Sequence, residues 1–365
     1  MKKSLNRNFI AAFFFLLLAH HAHSAALNIG QVAELSGQAT TTESMQAANL
    51  WFDAASKKGP HKYVVKALDD KRDPQLTVSL TKQLIEKENV IALFGYRSTP
   101  SLEVLSKELV NFKVPLVAPF NGAYSVRQAT GDWGFFLRAS YRDEAERLVR
   151  QLATVGVSRI AIVHQQDAFG AEGLAGYQSA LSAQKLTAST VLSYDRKTLD
   201  VKSVIEGLKV AQPSAVLMAC SAKACAEIIK SMRAVDKQMM FLSMSNMVTD
   251  EFLKDVASVG RNVLLSQVVP YPWDQTIPIV KEFHRLNSLN GNKVPVSYSA
   301  LEGFISAKLL TEAANRAGRK PSAESLQAAL RSMRGFDLGG VLFDASRPSK
   351  FVDLSFISGA GRLIR

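Results

Sequence analysis

The chain has 365 residues, 47% of them hydrophobic, which exceeds one typical domain and suffices for two cored lobes. The formal charge is +12, yet the lysines and arginines are scattered with no basic run, which argues for a solvated surface and against a nucleic-acid groove. Two cysteines and six histidines leave little for a metal centre, and three of those histidines (His20, His21, His23) fall near the start.

Lys2, Lys3 and Arg7 precede an apolar run, Phe9 to Ala19, that is too short to span a bilayer. Ala22-His23-Ser24 supplies a cleavage motif. A secretory signal over residues 1–24, cut near Ser24, is therefore expected, and loss of those three charges leaves +9. No cysteine follows the apolar core, so no lipid anchor is indicated, and no later stretch is apolar for long enough to cross a membrane. A soluble exported product beginning at Ala25 is expected.

Leu27 to Val32 reads as the first strand, and a helix follows near Met45 to Ala55. Trp51 on that helix reads as core. Tyr63 to Leu68 is the second strand. Asp69, Asp70 and Asp73 follow it, without the glycine and terminal glutamate of an EF-hand, so loop ends and helix capping account for them better than calcium. A helix over Leu76 to Lys87 comes next.

Asn89 to Tyr124 reads as a βαβ unit. Val90 to Phe94 is an apolar run suited to a strand buried on both faces. Thr99 and Pro100 predict a helix start, with a hydroxyl cap before proline. Leu102, Leu105, Leu109 and Phe112 repeat near the helical period. A second strand, Pro115 to Ala118, ends in Pro119-Phe120-Asn121-Gly122. Both loops sit at carboxyl ends of parallel strands, where open α/β sheets bind ligands. A helix N-terminus with Ser98, Thr99 and Arg97 suits an anion such as a carboxylate. An ordinary cap with Arg97 in water is the alternative.

Phe135 to Arg138 reads as a short strand, and Ser140-Tyr141-Arg142-Asp143 as a crossing between lobes. A second α/β alternation follows. Its strands are expected at Ile160 to Val163, around Val191, at Ala215 to Ala219, Met240 to Leu242 and Val263 to Val268, with helices between them. The first of those helices, 143–155, closes at Gly156. Cys220 and Cys225 would link a strand end to a helix's first turn, either as a disulfide or as small core residues. Pro270-Tyr271-Pro272-Trp273 suggests a second crossing and Gly339-Gly340 a third bend. Helices are expected at 278–289, 297–316 and 323–333, with Val341 to Phe343 and Phe351 to Ile357 as a terminal strand pair.

No G-x-S-x-G elbow, Walker loop, H-E-x-x-H or G-x-G-x-x-G is present. No catalytic residues, metal or cofactor are therefore assigned. His164, at a strand end, reads as a packed loop residue. What recurs is strand-end loops rich in hydroxyl, amide and aromatic groups: Tyr96 to Thr99, Phe120 to Gly122, Gln166 to Phe169, Cys220-Ser221 and Ser243 to Asn246. Such groups hold a small molecule without transforming it.

These segments, in order, carry a resemblance. LNIGQVAELSG, LDDKRDP, LIEKENVIALFGYRSTPSL, VPLVAPFNGA, FFLRASYRDEAE, RIAIVHQQDAFG and SYSALEGFISAKLL resemble the periplasmic leucine/isoleucine/valine-binding protein family, solute receptors of ABC importers. The resemblance implies an α/β fold of two Rossmann-like lobes with mostly parallel sheets, joined by three hinge crossings. Near Ala139, Tyr271 and Gly339, these would divide the chain into 25–139 plus 271–339 and 140–270 plus 340–365. It implies a periplasmic monomer that closes on a small ligand and is read by an inner-membrane permease. By position it assigns Ser98, Thr99, Phe120 and Gly122, with Asn121 between them, to the ligand's carboxylate. Phe169 would cover the ligand, Ser221 would lie on the next loop, and Tyr141 would sit at the crossing.

The acidic residue that meets an amino acid's ammonium in such proteins falls here near Ser245. A buried ammonium without an acidic partner costs several kcal/mol. The sequence therefore points to an aromatic or short organic acid, met by Arg97 or backbone N–H groups. Rival expectations are a sensory binding protein of the same fold, which presents its ligand to a receptor, and an exported hydrolase, which lacks a visible nucleophile constellation.

Overall fold

Short apolar runs separated by amphipathic stretches fold into two sheets flanked by helices. In this computed structural model the structure describes residues 26–36, 39–359 and 361–365. The expected export signal lies outside the described residues. Among them, no helix is long and apolar enough to cross a membrane.

The first sheet is built from β1 (Ala26–Ala33), β2 (Lys62–Asp69), β3 (Ala92–Phe94), β4 (Leu116–Val117) and β5 (Gly134–Phe135). Its order is β2-β1-β3-β4-β5 and every pairing is parallel. The intervening helices are α1 (Ala39–Lys58), α2 (Pro74–Glu88), α3 (Thr99–Leu105), α4 (Leu109–Phe112) and α5 (Tyr124–Ala129). Asp73 starts α2 by accepting the N–H groups of Gln75 and Leu76. Asp69 accepts Lys71 N and Asp70 accepts Thr77 Oγ1, so the acidic cluster shapes a loop and a cap as expected.

One helix was expected after Thr99, and two are found. Ser106 Oγ donates to the Glu103 carbonyl, a local bond of the kind that competes with helix continuation. The cap is also displaced by one residue: Ser98 Oγ accepts Ser101 N, and Thr99 opens the helix. With seven residues, α3 is too short for its dipole to carry the anion argument made from the sequence.

The second sheet takes β6 (Ile160–Gln165), β7 (Ala188–Tyr194), β8 (Ala215–Ala219), β9 (Met240–Ser243) and β10 (Val263–Gln267). Around it lie α6 (Tyr141–Thr154), α7 (Ala168–Ala183), α8 (Lys202–Ala211), α9 (Ala222–Arg233) and α10 (Asp250–Val256). Ser140 opens α6 with a capping box to Asp143. Every residue of β8 is buried, as a central parallel strand requires. Cys220, just after β8, is bridged to Cys225 in the first turn of α9, with Cα atoms 5.8 Å apart.

The chain then returns. Helices α11 (Pro278–Leu289), α12 (Tyr298–Arg316) and α13 (Ala323–Ser332) follow β10, and α12 packs along α1. Trp51 joins this seam half-buried, packed against the core, donating to Thr311 Oγ1 at 2.7 Å and packing edge-on to Phe304. Gly303 permits the close approach: a Cβ there would sit 2.0 Å from the Ser44 carbonyl oxygen.

The last strands are β11 (Phe336–Asp337), β12 (Leu342–Phe343), β13 (Asp353–Ile357) and β14 (Leu363–Ile364). The two segments read as a terminal pair do not pair with each other. β12 pairs with β11, whereas β13 joins β10 antiparallel, with Leu265 opposite Ser355. Local composition marks a strand but not its partner. Gly339-Gly340 is the turn of the β11–β12 hairpin, where Asp337 Oδ1 accepts both glycine N–H groups. The chain passes between the sheets at 136–140, at 268–277 and at 344–352.

Candidate functional site

A cleft of about 300 Å³ lies where the carboxyl ends of the two sheets face each other. On the first side the wall comes from Arg97, Ser98 and Thr99 after β3, and from loops after β1 and β2. On the second it comes from Gln165 at the end of β6, Asp167 and Phe169 after it, and Ser221 after β8. Tyr141, the first residue of α6, joins them. Of the residues singled out in the sequence, Arg97, Ser98, Thr99, Tyr141, Phe169 and Ser221 therefore meet in one cavity.

Local bonds fix these walls. The Tyr141 and Phe169 rings meet edge-on, 5.3 Å between centroids. Asp167 caps α7 by accepting Gly170 N at 3.0 Å and pairs with Arg196 at 3.2 Å. Ser221 N donates to Tyr194 Oη at 3.0 Å, and the Cys220–Cys225 bridge encloses Ser221. On the opposite rim Arg72 pairs with Glu34. His164 does not line the cleft and packs against the Gln165 carbonyl.

Four of the singled-out residues lie elsewhere. Phe120 turns into the core, edge-on to Phe94. Gly122 is covered by Tyr141: its carbonyl accepts Tyr141 N at 2.8 Å, and a Cβ would come within 2.7 Å of the Tyr141 ring. Asn121 is fully buried behind Thr99 and bonds to Thr99 Oγ1 at 2.8 Å. Ser245 lines a second, water-sized chamber of about 20 Å³, whose wall includes Arg97, Arg138, Asn246, Tyr298 and Glu302.

That inner chamber is strongly charged. Arg138 lies 3.1 Å from Glu144 and 3.4 Å from Glu302, and its guanidinium also donates to Ser245 Oγ. Burial alone would lower the Arg138 pKa, but Glu302 and Glu144 lift it above the ordinary value, so it stays charged. Burial raises the Glu302 pKa, against the pull of Arg138 and Arg97 and with a smaller push from Glu144. Arg97 separates the two chambers, donating to the Asn246 carbonyl at 2.9 Å. Burial lowers its pKa, Glu302 pulls the other way from a distance, and among the described residues Arg97 forms no ion pair.

Sequence reasoning missed Arg138, Glu144, Glu302 and Arg196. Arg138 and Glu144 sit inside the segment FFLRASYRDEAE, but nothing in its spacing marks a buried ion network. Arg196 comes from a loop whose only signal is its place after a strand.

A solvent cleft between two α/β lobes, at their sheet ends and behind three chain crossings, is the architecture of a two-lobe solute receptor. The chain belongs to the periplasmic binding protein family, whose description matches residues 26–351. Members of that family are exported to the periplasm. Among solved structures, a substrate-binding periplasmic protein from Ralstonia solanacearum is 32% identical, with a TM-score of 0.85 over 93% of this chain and 99% of that one. A possible leucine/isoleucine/valine-binding protein from Rhodopirellula baltica is 24% identical, with a TM-score of 0.86 over 94% and 97%. A branched-chain amino acid ABC transporter protein from Thermus thermophilus with bound valine is 16% identical, with a TM-score of 0.81 over 93% and 94%. No curated protein matches the chain.

Proposed function

We propose that this protein captures a small carboxylic acid lacking an α-ammonium group and delivers it, unchanged, to an ABC permease in the inner membrane. The observation that carries the reading is Arg97. It is a half-buried guanidinium at the inner end of the cleft that forms no ion pair among the described residues, the pull of Glu302 reaching it only from a distance. A ligand carboxylate supplies the missing charge, and charge-assisted bonds of this kind are the strong ones. Ser98 and Thr99 flank it as hydroxyl donors, and Phe169 and Tyr141 provide apolar cover.

The rival chemistry is an α-amino acid, such as the valine held by the Thermus thermophilus protein. Here the acids nearest the inner chamber, Glu144 and Glu302, are already engaged by Arg138. A ligand ammonium at the inner end would enter beside two guanidinium groups, and the cleft carboxylates Glu34 and Asp167 are already paired with Arg72 and Arg196, which leaves the outer-wall Glu251 as the acid it could meet. The protein acts as a monomer that closes on its ligand, and the closed form is what the permease reads.

Thermal-shift titration tests this with matched sets: 4-methylpentanoate and leucine, phenylacetate and phenylalanine. A ligand at a hundred times its Kd adds about 2.7 kcal/mol of stability. The acids are expected to raise the Tm and the amino acids to leave it unchanged. Stabilisation by an α-amino acid, with none by any simple acid, contradicts the proposal.

A further inference from the structure

Asn121 was grouped with the ligand contacts by its place in the loop, yet it is fully buried and does not line the cleft. Its bonds define a different task. Oδ1 accepts the N–H of Ala123 at 2.9 Å. Nδ2 donates to the carbonyl of Arg97 at 2.9 Å and reaches Thr99 Oγ1 at 2.8 Å. A main-chain N–H can only donate and a carbonyl can only accept. These two main-chain groups therefore fix which end of the amide faces which way, with no freedom to flip.

The consequence falls on Thr99. Its hydroxyl meets the NH2 end of the amide and must accept from it. Its own proton then has no protein acceptor among the described residues and is left for the cleft that Thr99 lines. We infer that Asn121 is a positioning residue that occupies one lone pair of the Thr99 hydroxyl and leaves its proton for the cleft, so that Thr99 meets the ligand as a hydrogen-bond donor. The site thereby favours an accepting group at that point, a carboxylate above all, over one that presents N–H. Ser98 is set the same way, since its Oγ accepts Ser101 N. The specificity claim rests on the proposed acid-binding function, but the proton's direction does not.

Two measurements separate these. Neutron diffraction from the ligand-free, deuterated protein locates the Thr99 deuteron. It is expected to point into the cleft, and a deuteron directed at Asn121 overturns the inference whatever the ligand proves to be. The second measurement uses 4-methylpentanoate and 4-methylpentanamide as probes. The parent is expected to favour the acid by about tenfold or more, equivalent to about 1.4 kcal/mol. Asn121→Ala frees the Thr99 hydroxyl to accept, so the acid-to-amide ratio should fall severalfold. Thr99→Val should lower the ratio severalfold, the remainder being held by Arg97, while Thr99→Ser should keep it. Should Asn121→Ala not fold, the two Thr99 variants decide the matter. Equal weakening of acid and amide, with the ratio preserved, shows a merely structural role and overturns the inference. If neither probe binds the parent, the acid-binding function is what fails, and the deuteron alone decides the role of Asn121.

Discussion

Arg138 shows how one side chain ties the first crossing to both lobes. It arrives from that crossing, pairs with Glu144 of α6 and Glu302 of α12, and bonds to Ser245 after β9. Removing one partner of a buried ion network leaves uncompensated charge, which typically costs about 3–5 kcal/mol. Arg138→Met is expected to lose stability in that range by urea denaturation; a loss below about 1 kcal/mol, the size of an exposed pair, contradicts the network. Glu302 gives a pH test. Burial holds its carboxyl above the ordinary range, against the pull of Arg138 and Arg97. A raised carboxyl binds its proton more tightly in the folded chain, so its contribution is fullest below the ordinary carboxylate pKa and is lost as pH rises through the raised value. Stability of Glu302→Gln relative to the parent should therefore improve as pH rises above the ordinary carboxylate range. Parallel stability curves contradict this. At this scale the sequence showed that Arg97, Ser98, Thr99, Phe169 and Ser221 would meet in one cleft, because strand-end loops of parallel sheets converge. It did not show that Phe120, Asn121 and Gly122 stay off the cleft wall, because the groups that cover them, Phe94, Thr99 and Tyr141, come from other segments.

Among the elements, α5 depends on a residue from the other lobe. Its cap position, Ala123, offers no side-chain acceptor. Glu172 of α7 accepts the N–H of Tyr124 at 3.1 Å and of Ser125 at 2.9 Å instead. A carboxylate at a helix start typically contributes about 1 kcal/mol. Glu172→Ala should cost about that much, and hydrogen exchange at Tyr124 and Ser125 should quicken while the β8 core stays protected. Unchanged exchange at both amides contradicts a cap supplied across the lobes. Helix α5 was not read from the sequence, which is understandable for six residues with no local cap. Elements with a strong local signal were legible: Ala215–Ala219 and 278–289 emerged as read, because apolar runs and helical periods are local signals. The partners of β12 and β13 were not, because strand pairing is set by tertiary packing.

Across the whole molecule, contacts between the two lobes gather around the cleft: Arg97 to Asn246, Glu172 to the start of α5, and Arg138 to Ser245. Two lobes and their α/β class followed from length and alternation. The hairpin partner of β12 did not, since a Gly-Gly pair marks a turn without saying what it joins. A receptor that works by hinge closure makes these contacts when shut and releases them when open. Small-angle scattering, with and without an acid shown to raise the Tm, measures that motion directly. The account predicts a smaller radius of gyration on saturation with the acid. Bound acid with an unchanged radius contradicts it.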